Sequence, residues 1–150
     1  MQSELRETLV LEAFLPYRLS VLTNRVSSAL SERYAEEFSM SAAEWRVMAA
    51  LGCSDGLSAR EVCIRTAMDK VQVSRAVAGL VESGRVVRRT DAEDGRVTRL
   101  TLSAEGRTVY EEIVPRAHNF EASLMAALTA EELEALDVIL GKLSRAVLTL

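Results

Sequence analysis

Between Asp69 and Ser83 the chain reads DKVQVSRAVAGLVES, cationic and hydroxylated side chains interleaved with aliphatic ones. Wound as a helix, this run puts Val73, Val77, Leu80 and Val81 on one face, leaving Lys70, Val71, Ser74, Arg75 and Ala78 to face outward. An outward arginine can donate two hydrogen bonds to one guanine edge, and lysine and serine suit phosphate oxygens. Arg75 is thus the candidate base reader, and Lys70 and Ser74 are the candidate phosphate contacts. Gln72 has two readings, as the cap partner of Asp69 or as an exposed amide able to read adenine. Arg75 also has a second reading, a surface ion pair with Glu82 or Asp69.

A second basic group, with Arg88 and Arg96, brackets the stretch DAEDG. An arginine such as Arg96, just past a turn, can enter a narrow minor groove, where the negative potential is greatest. Asp94 is placed to pair with a neighbouring arginine and hold the tip in shape. DAEDG also looks like part of a calcium loop, but the twelfth position counted from Asp91 is Leu102, where that loop needs a bidentate glutamate.

The overall charge of −4 argues against a nucleic-acid partner, but its distribution does not. Residues 57–102 hold nine basic and six acidic side chains, a net of +3, against −7 in the remainder. A duplex is met locally, so the local excess matters more than the average.

Other chemistries are poorly supplied. One histidine and two cysteines are too few for a structural zinc site, so no metal or cofactor is expected. No glycine-rich phosphate loop or nucleophile elbow is present, and one histidine leaves little acid–base capacity, which argues against an enzyme. The start MQSELRETLV lacks a basic stretch followed by an apolar one, and no apolar run approaches 18 residues. Neither export by a signal peptide nor a membrane span is expected, which predicts a cytoplasmic protein.

The positioning elements are helices. At 150 residues and 49% apolar, with 7 glycines and 2 prolines, the chain predicts one mainly α domain over residues 1–150. The first helix is expected over 9–38, or from Pro16, where a missing amide donor costs least. Ser41-x-x-Glu44, Ser58-x-x-Glu61 and Thr129-x-x-Glu132, with the variant Asp69-x-x-Gln72, have the form of reciprocal helix caps. They predict helices over 41–51, 58–67, 69–83 and 129–148, and a fifth, containing Pro115, is expected over 103–128. The second of these stops at Ala67 and the third starts at Asp69, the outline of a helix-turn-helix. Valine- and threonine-rich runs at 85–90 and 96–102 predict a β-hairpin whose tip, 91–95, uses glycine at positive φ. In the last helix, Leu133, Leu136, Leu140 and Leu143 recur at spacings of 3 and 4, the seam of a helix that packs against another.

The run SAAEWRVMAALG through SAREVCIRTAMDKVQVSRAVAGLVESGRVVRRTDAEDGRVTRLTLSAEGR resembles the winged-helix core of the MarR family of bacterial transcription regulators. Its most specific parts are Ser74-Arg75 followed by Leu80 and Gly84, and Asp91-x-x-Asp94-x-Arg96 leading into Leu100-Thr101-Leu102 and Glu105-Gly106. The resemblance extends over essentially the whole chain. It departs at Gly95, where many members carry a bulky residue. It implies a winged helix-turn-helix with a two-stranded wing and interlocking N- and C-terminal dimerisation helices. By function it implies a homodimeric repressor that binds a pseudo-palindromic double-stranded DNA operator and is modulated by a small-molecule effector. For an effector, Tyr17, Arg18, Trp45, Arg46 and His118 are the candidates, with Asn24. The FLPYRLS and EWRV runs lean toward members linked to aromatic-acid catabolism, and an arginine suits a carboxylate. Against this, Trp45 also reads as core and His118 as a structural histidine. Cys53 and Cys63 do not occupy the N-terminal place of the family's peroxide-sensing cysteine. The alternative from another class is a winged helix that binds an acidic protein partner rather than DNA.

Overall fold

The computed structural model describes residues 8–150; the segment MQSELRE, read above for an export signal, lies outside the described residues. The chain divides into two compact units, one ending at Glu111 and the other running from Glu112 to Leu150.

In the first unit a single 3-10 turn (Leu11–Ala13) precedes α1 (Leu15–Phe38). The helix proper begins beside Pro16, as the second sequence reading has it, because proline is tolerated only where its amide has no partner to lose. Then come α2 (Ala42–Cys53), α3 (Ala59–Thr66) and α4 (Lys70–Glu82). An antiparallel pair, β1 (Val86–Thr90) and β2 (Thr98–Leu102), precedes α5 (Ala104–Met125), which crosses the unit boundary. In the second unit α5 continues, with Pro115 inside it, and α6 (Ala130–Val147) follows.

Every cap expected from the sequence is formed in both directions. Glu44 N–H donates to Ser41 Oγ at 3.1 Å and Ser41 N–H to Glu44 Oε2 at 2.8 Å. Ser58 with Glu61, Asp69 with Gln72, and Thr129 with Glu132 repeat the exchange. These caps satisfy amides that the first helical turn would leave orphaned. Gly84 ends the α4 segment at φ 75°, the left-handed conformation expected of it.

The core of the first unit is built around α2, which packs on α1, α3, α4 and β2. Val47, Met48, Leu51, Val62, Val73, Leu80 and Val86 are nearly or wholly buried there. The hairpin pairs Val86 with Leu102, Arg88 with Leu100 and Thr90 with Thr98. Leu100 N–H also donates to the Leu57 carbonyl at 2.8 Å, tying the second strand to the segment ahead of α3.

The tip of the hairpin differs from expectation. It spans 91–97 rather than 91–95, and Gly95 is not at positive φ; the glycines that are, among the described residues, are Gly56 and Gly84. Side-chain oxygens shape the turn instead. Asp91 Oδ1 accepts the amides of Glu93 (2.8 Å) and Asp94 (3.0 Å), and Asp94 Oδ1 accepts that of Arg96 (3.0 Å). Aspartates bonding amides two and three residues on make the turn without a left-handed residue.

Candidate nucleic-acid interface

Three elements of the first unit converge: α3, α4 and the hairpin. Helix α4 is seated by Val73, Ala76, Val77 and Leu80, all buried, which fixes its rotation and leaves Lys70, Ser74, Arg75 and Ala78 exposed. Gln72 is the cap partner of Asp69, donating its amide to Asp69 Oδ1 at 2.8 Å and accepting the Asp69 amide through Oε1 at 3.3 Å. Arg75 forms no ion pair with Glu82 or Asp69 among the described residues, so its guanidinium is left for solvent or a ligand.

The hairpin register turns Arg88, Leu100 and Thr98 to one face, and that face closes a cleft of about 540 Å³ against α3 and α4. Lys70, Ser74 and Arg88 all line it, with Arg60 and Cys63 from α3 and an apolar floor of Val73, Val77 and Leu100. A second hollow, on the α3 side of the hairpin, is lined by Arg60, Ile64, Arg96 and Arg99. The structure thus brings Lys70, Ser74 and Arg88 together and sets Arg96 on the neighbouring hollow. Arg60 lines both and was not singled out from the sequence. Its signal there was only its place in the first turn of a short capped helix.

The support of the hairpin also differs. Asp94 meets the backbone of Arg96 rather than an arginine side chain. The aspartate paired with an arginine is Asp91, whose Oδ2 accepts from Arg99 Nε at 2.7 Å. Arg99 Nη1 reaches Glu61 Oε2 at 2.9 Å, the same oxygen that caps α3. The physical need is visible in the register: Arg89 stands directly opposite Arg99, a like-charge pair that two carboxylates offset. The Arg99 hydrogen bond, with the amides of Asp94 and Glu93, holds the Asp91 carboxyl down to about 2. Glu61 is lowered too, chiefly by the Ser58 amide.

Exposed cations on a helix and a hairpin suit a polyanion. A family model described as MarR family matches residues 38–97, from the end of α1 through α2, α3, α4 and the hairpin tip. Residues 38–97 thus carry the MarR-family pattern on a MarR-type winged-helix fold. That family consists of winged-helix transcriptional regulators that bind DNA and are not enzymatic.

Solved structures extend the likeness beyond the reading head. A MarR-family regulator from Silicibacter pomeroyi is 28% identical, with 94% of each chain covered and a TM-score of 0.74. A MarR/EmrR-family regulator from Acinetobacter sp. ADP1 matches at 24% identity and TM-score 0.87, covering 95% of this chain and all of that one. BpsR of Bordetella bronchiseptica, whose DNA binding is regulated by 6-hydroxynicotinic acid, matches at 24% identity and TM-score 0.80, covering 91% of this chain and 97% of that one. No curated protein matches the chain.

In this chain the effector candidates are dispersed over several settings. Trp45 is half-buried, its ring 5.8 Å from Tyr34 and stacked at 6.1 Å on Tyr110. Arg46 donates to Ser27 Oγ at 2.6 Å. Tyr17 and Arg18 line an open hollow walled by α1 residues and Glu12 of the preceding turn. His118, in the second unit, is exposed with Nδ1 3.7 Å from Glu121 Oε2. Around Tyr110, missed in the sequence, Cys53 Sγ lies 3.8 Å from the hydroxyl and the Arg107 guanidinium 5.6 Å from the ring centroid. Burial, then the Cys53 contact, pushes the Tyr110 hydroxyl up. Among the described residues, no helix is long and apolar enough to cross a membrane.

Proposed function

We propose that this chain is a homodimeric repressor that binds a pseudo-palindromic DNA operator in the cytoplasm, with its affinity modulated by a small aromatic acid. The observation that carries the reading is the convergence of Lys70 and Ser74 of α4 with Arg88 of β1 on one cleft beside the exposed Arg75. In this reading α4 enters the major groove, Arg75 reads a guanine, and Lys70, Ser74 and Arg88 meet phosphate. Arg96 at the tip takes the adjacent minor groove, and Gln72 and Asp94 hold the local backbone.

Dimer formation is supported by apolar side chains left in solvent on single helices. Leu15, Leu19 and Leu22 of α1 and Val138, Ile139 and Leu140 of α6 are each 39% exposed or more. The effector class is supported by the BpsR likeness, and Tyr17, Arg18, Trp45, Arg46 and His118 are its proposed contacts.

Salt titration of duplex binding is the test. A dimer making ~8 phosphate contacts gives log K falling against log salt with a slope near −7. A slope near zero, or no duplex binding in dilute buffer, overturns the reading and favours a protein partner.

A further inference from the structure

One exposed side chain of α4 is explained neither by folding nor by phosphate. Val71, in the first turn of the helix, is 59% exposed. A β-branched residue gains the helix nothing there, and an aliphatic group has no phosphate to attract. It cannot rotate inward, because buried Val73, Val77 and Leu80 pin the register of the helix. Isolated surface valines are common; the placement of this one is what counts. Positions 71, 75 and 78 fall at i, i+4 and i+7, so Val71, Arg75 and Ala78 form one exposed stripe with Ser74 beside it. Val71 and Arg75 are ~6 Å apart along the helix axis at ~1.5 Å per residue. Base pairs rise ~3.4 Å each, so the two side chains are offset by about two base pairs.

We infer that Val71 is a specificity-determining residue that packs on the C5-methyl of a thymine within about two base pairs of the guanine read by Arg75. The inference rests on the DNA-binding reading above and deepens it. The thymine methyl is the apolar feature that the major groove presents, and an aliphatic side chain recognises it by excluding water from both. Cytosine offers an amino group at the neighbouring position instead, which Val71 leaves unpaired.

The test uses the 150-residue chain and a duplex selected by it from a random pool. Each thymine of the half-site is replaced in turn by deoxyuridine, which removes the methyl and keeps every hydrogen-bonding group. Wild type is expected to lose about fourfold in affinity at one thymine per half-site, the effect of one buried methyl. Val71→Ala is expected to bind the thymine and uracil duplexes equally at that position, with helicity and melting temperature no lower than wild type. Val71→Thr keeps a methyl and is expected to keep part of the discrimination. If wild type pays no uracil penalty near the Arg75 guanine, or Val71→Ala pays the full one, the inference is overturned while DNA binding stands. If wild type selects no duplex at all, the DNA-binding reading falls and this inference falls with it.

Discussion

Arg99 Nε lies 2.7 Å from Asp91 Oδ2, and through Nη1 the same guanidinium reaches both Glu61 of α3 and the Gly56 carbonyl. One side chain therefore ties the tip of the hairpin to the first turn of the helix-turn-helix. The hairpin is a two-stranded ribbon, which has little stability of its own. Its aim relative to α4 depends on such ties.

The tie predicts an acid sensitivity. Asp91 ionises at about 2 in the folded protein against 3.8 unfolded, so the folded-state value is depressed. Its contribution is complete above the unfolded value and is lost as pH falls through the folded one. Asp91→Asn is therefore expected to lower the urea midpoint at pH 6, and the difference from wild type is expected to vanish toward pH 2. A difference that stays constant over that range would show that the carboxylate charge is not what holds the hairpin.

Arg75→Ala is expected to cost ~1–3 kcal/mol of binding on the preferred operator and to flatten discrimination at one base pair per half-site. Arg75 has no ion pair with Glu82 or Asp69 to release, so the folded stability of the variant should match wild type. Competition binding against single-base operator variants measures both effects. Equal weakening on every sequence would make Arg75 a phosphate contact.

What could be read from the sequence was what depends on neighbours along the chain. A capping box closes within four residues, so Ser41, Ser58, Asp69 and Thr129 marked helix starts to within a residue. The exposed face of α4 followed from helical period alone. The Asp91–Arg99 tie did not, because it spans eight residues across a turn whose length and shape depend on side-chain bonding. The sequence signal of Asp-Gly pointed to a glycine turn, whereas Asp91 and Asp94 form it with their carboxylates. Arg60 and Tyr110 were missed for a similar reason: their roles come from packing between elements far apart in the chain.

Gly106 of α5 tests a contest between two opposing effects. In a helix interior alanine is preferred to glycine by ~1 kcal/mol. Here a Cβ would fall on the Arg85 carbonyl, whose backbone is fixed by Arg85 N–H to Leu80 O at 2.8 Å and Ser103 N–H to Arg85 O at 3.0 Å. Overpacking against held backbone costs ~1–3 kcal/mol, so the clash is expected to win and Gly106→Ala to lower the melting temperature. A raised melting temperature would show that the start of α5 can slide away from β1.

The final prediction concerns α6 and the assembly. Leu133, Leu136 and Leu143 are half-buried in this single chain, and Leu140 is 47% exposed, beside Val138 and Ile139 at 54% and 52%. Fully burying one such side chain contributes ~1.5–3 kcal/mol, so apolar side chains like Leu140 left in water are an unused driving force. In the homodimer proposed above, the partner would cover the Leu140 side of α6. Replacing Leu136 and Leu140 by glutamine is expected to halve the sedimenting mass, and operator affinity should fall sharply once two half-sites are no longer gripped together. Leu140 is more exposed than Leu136, so the single change at 140 should dissociate the dimer with less loss of helicity than the change at 136. If a folded double variant keeps its mass, the interface lies on other residues, and the exposed leucines of α1 become the next to replace.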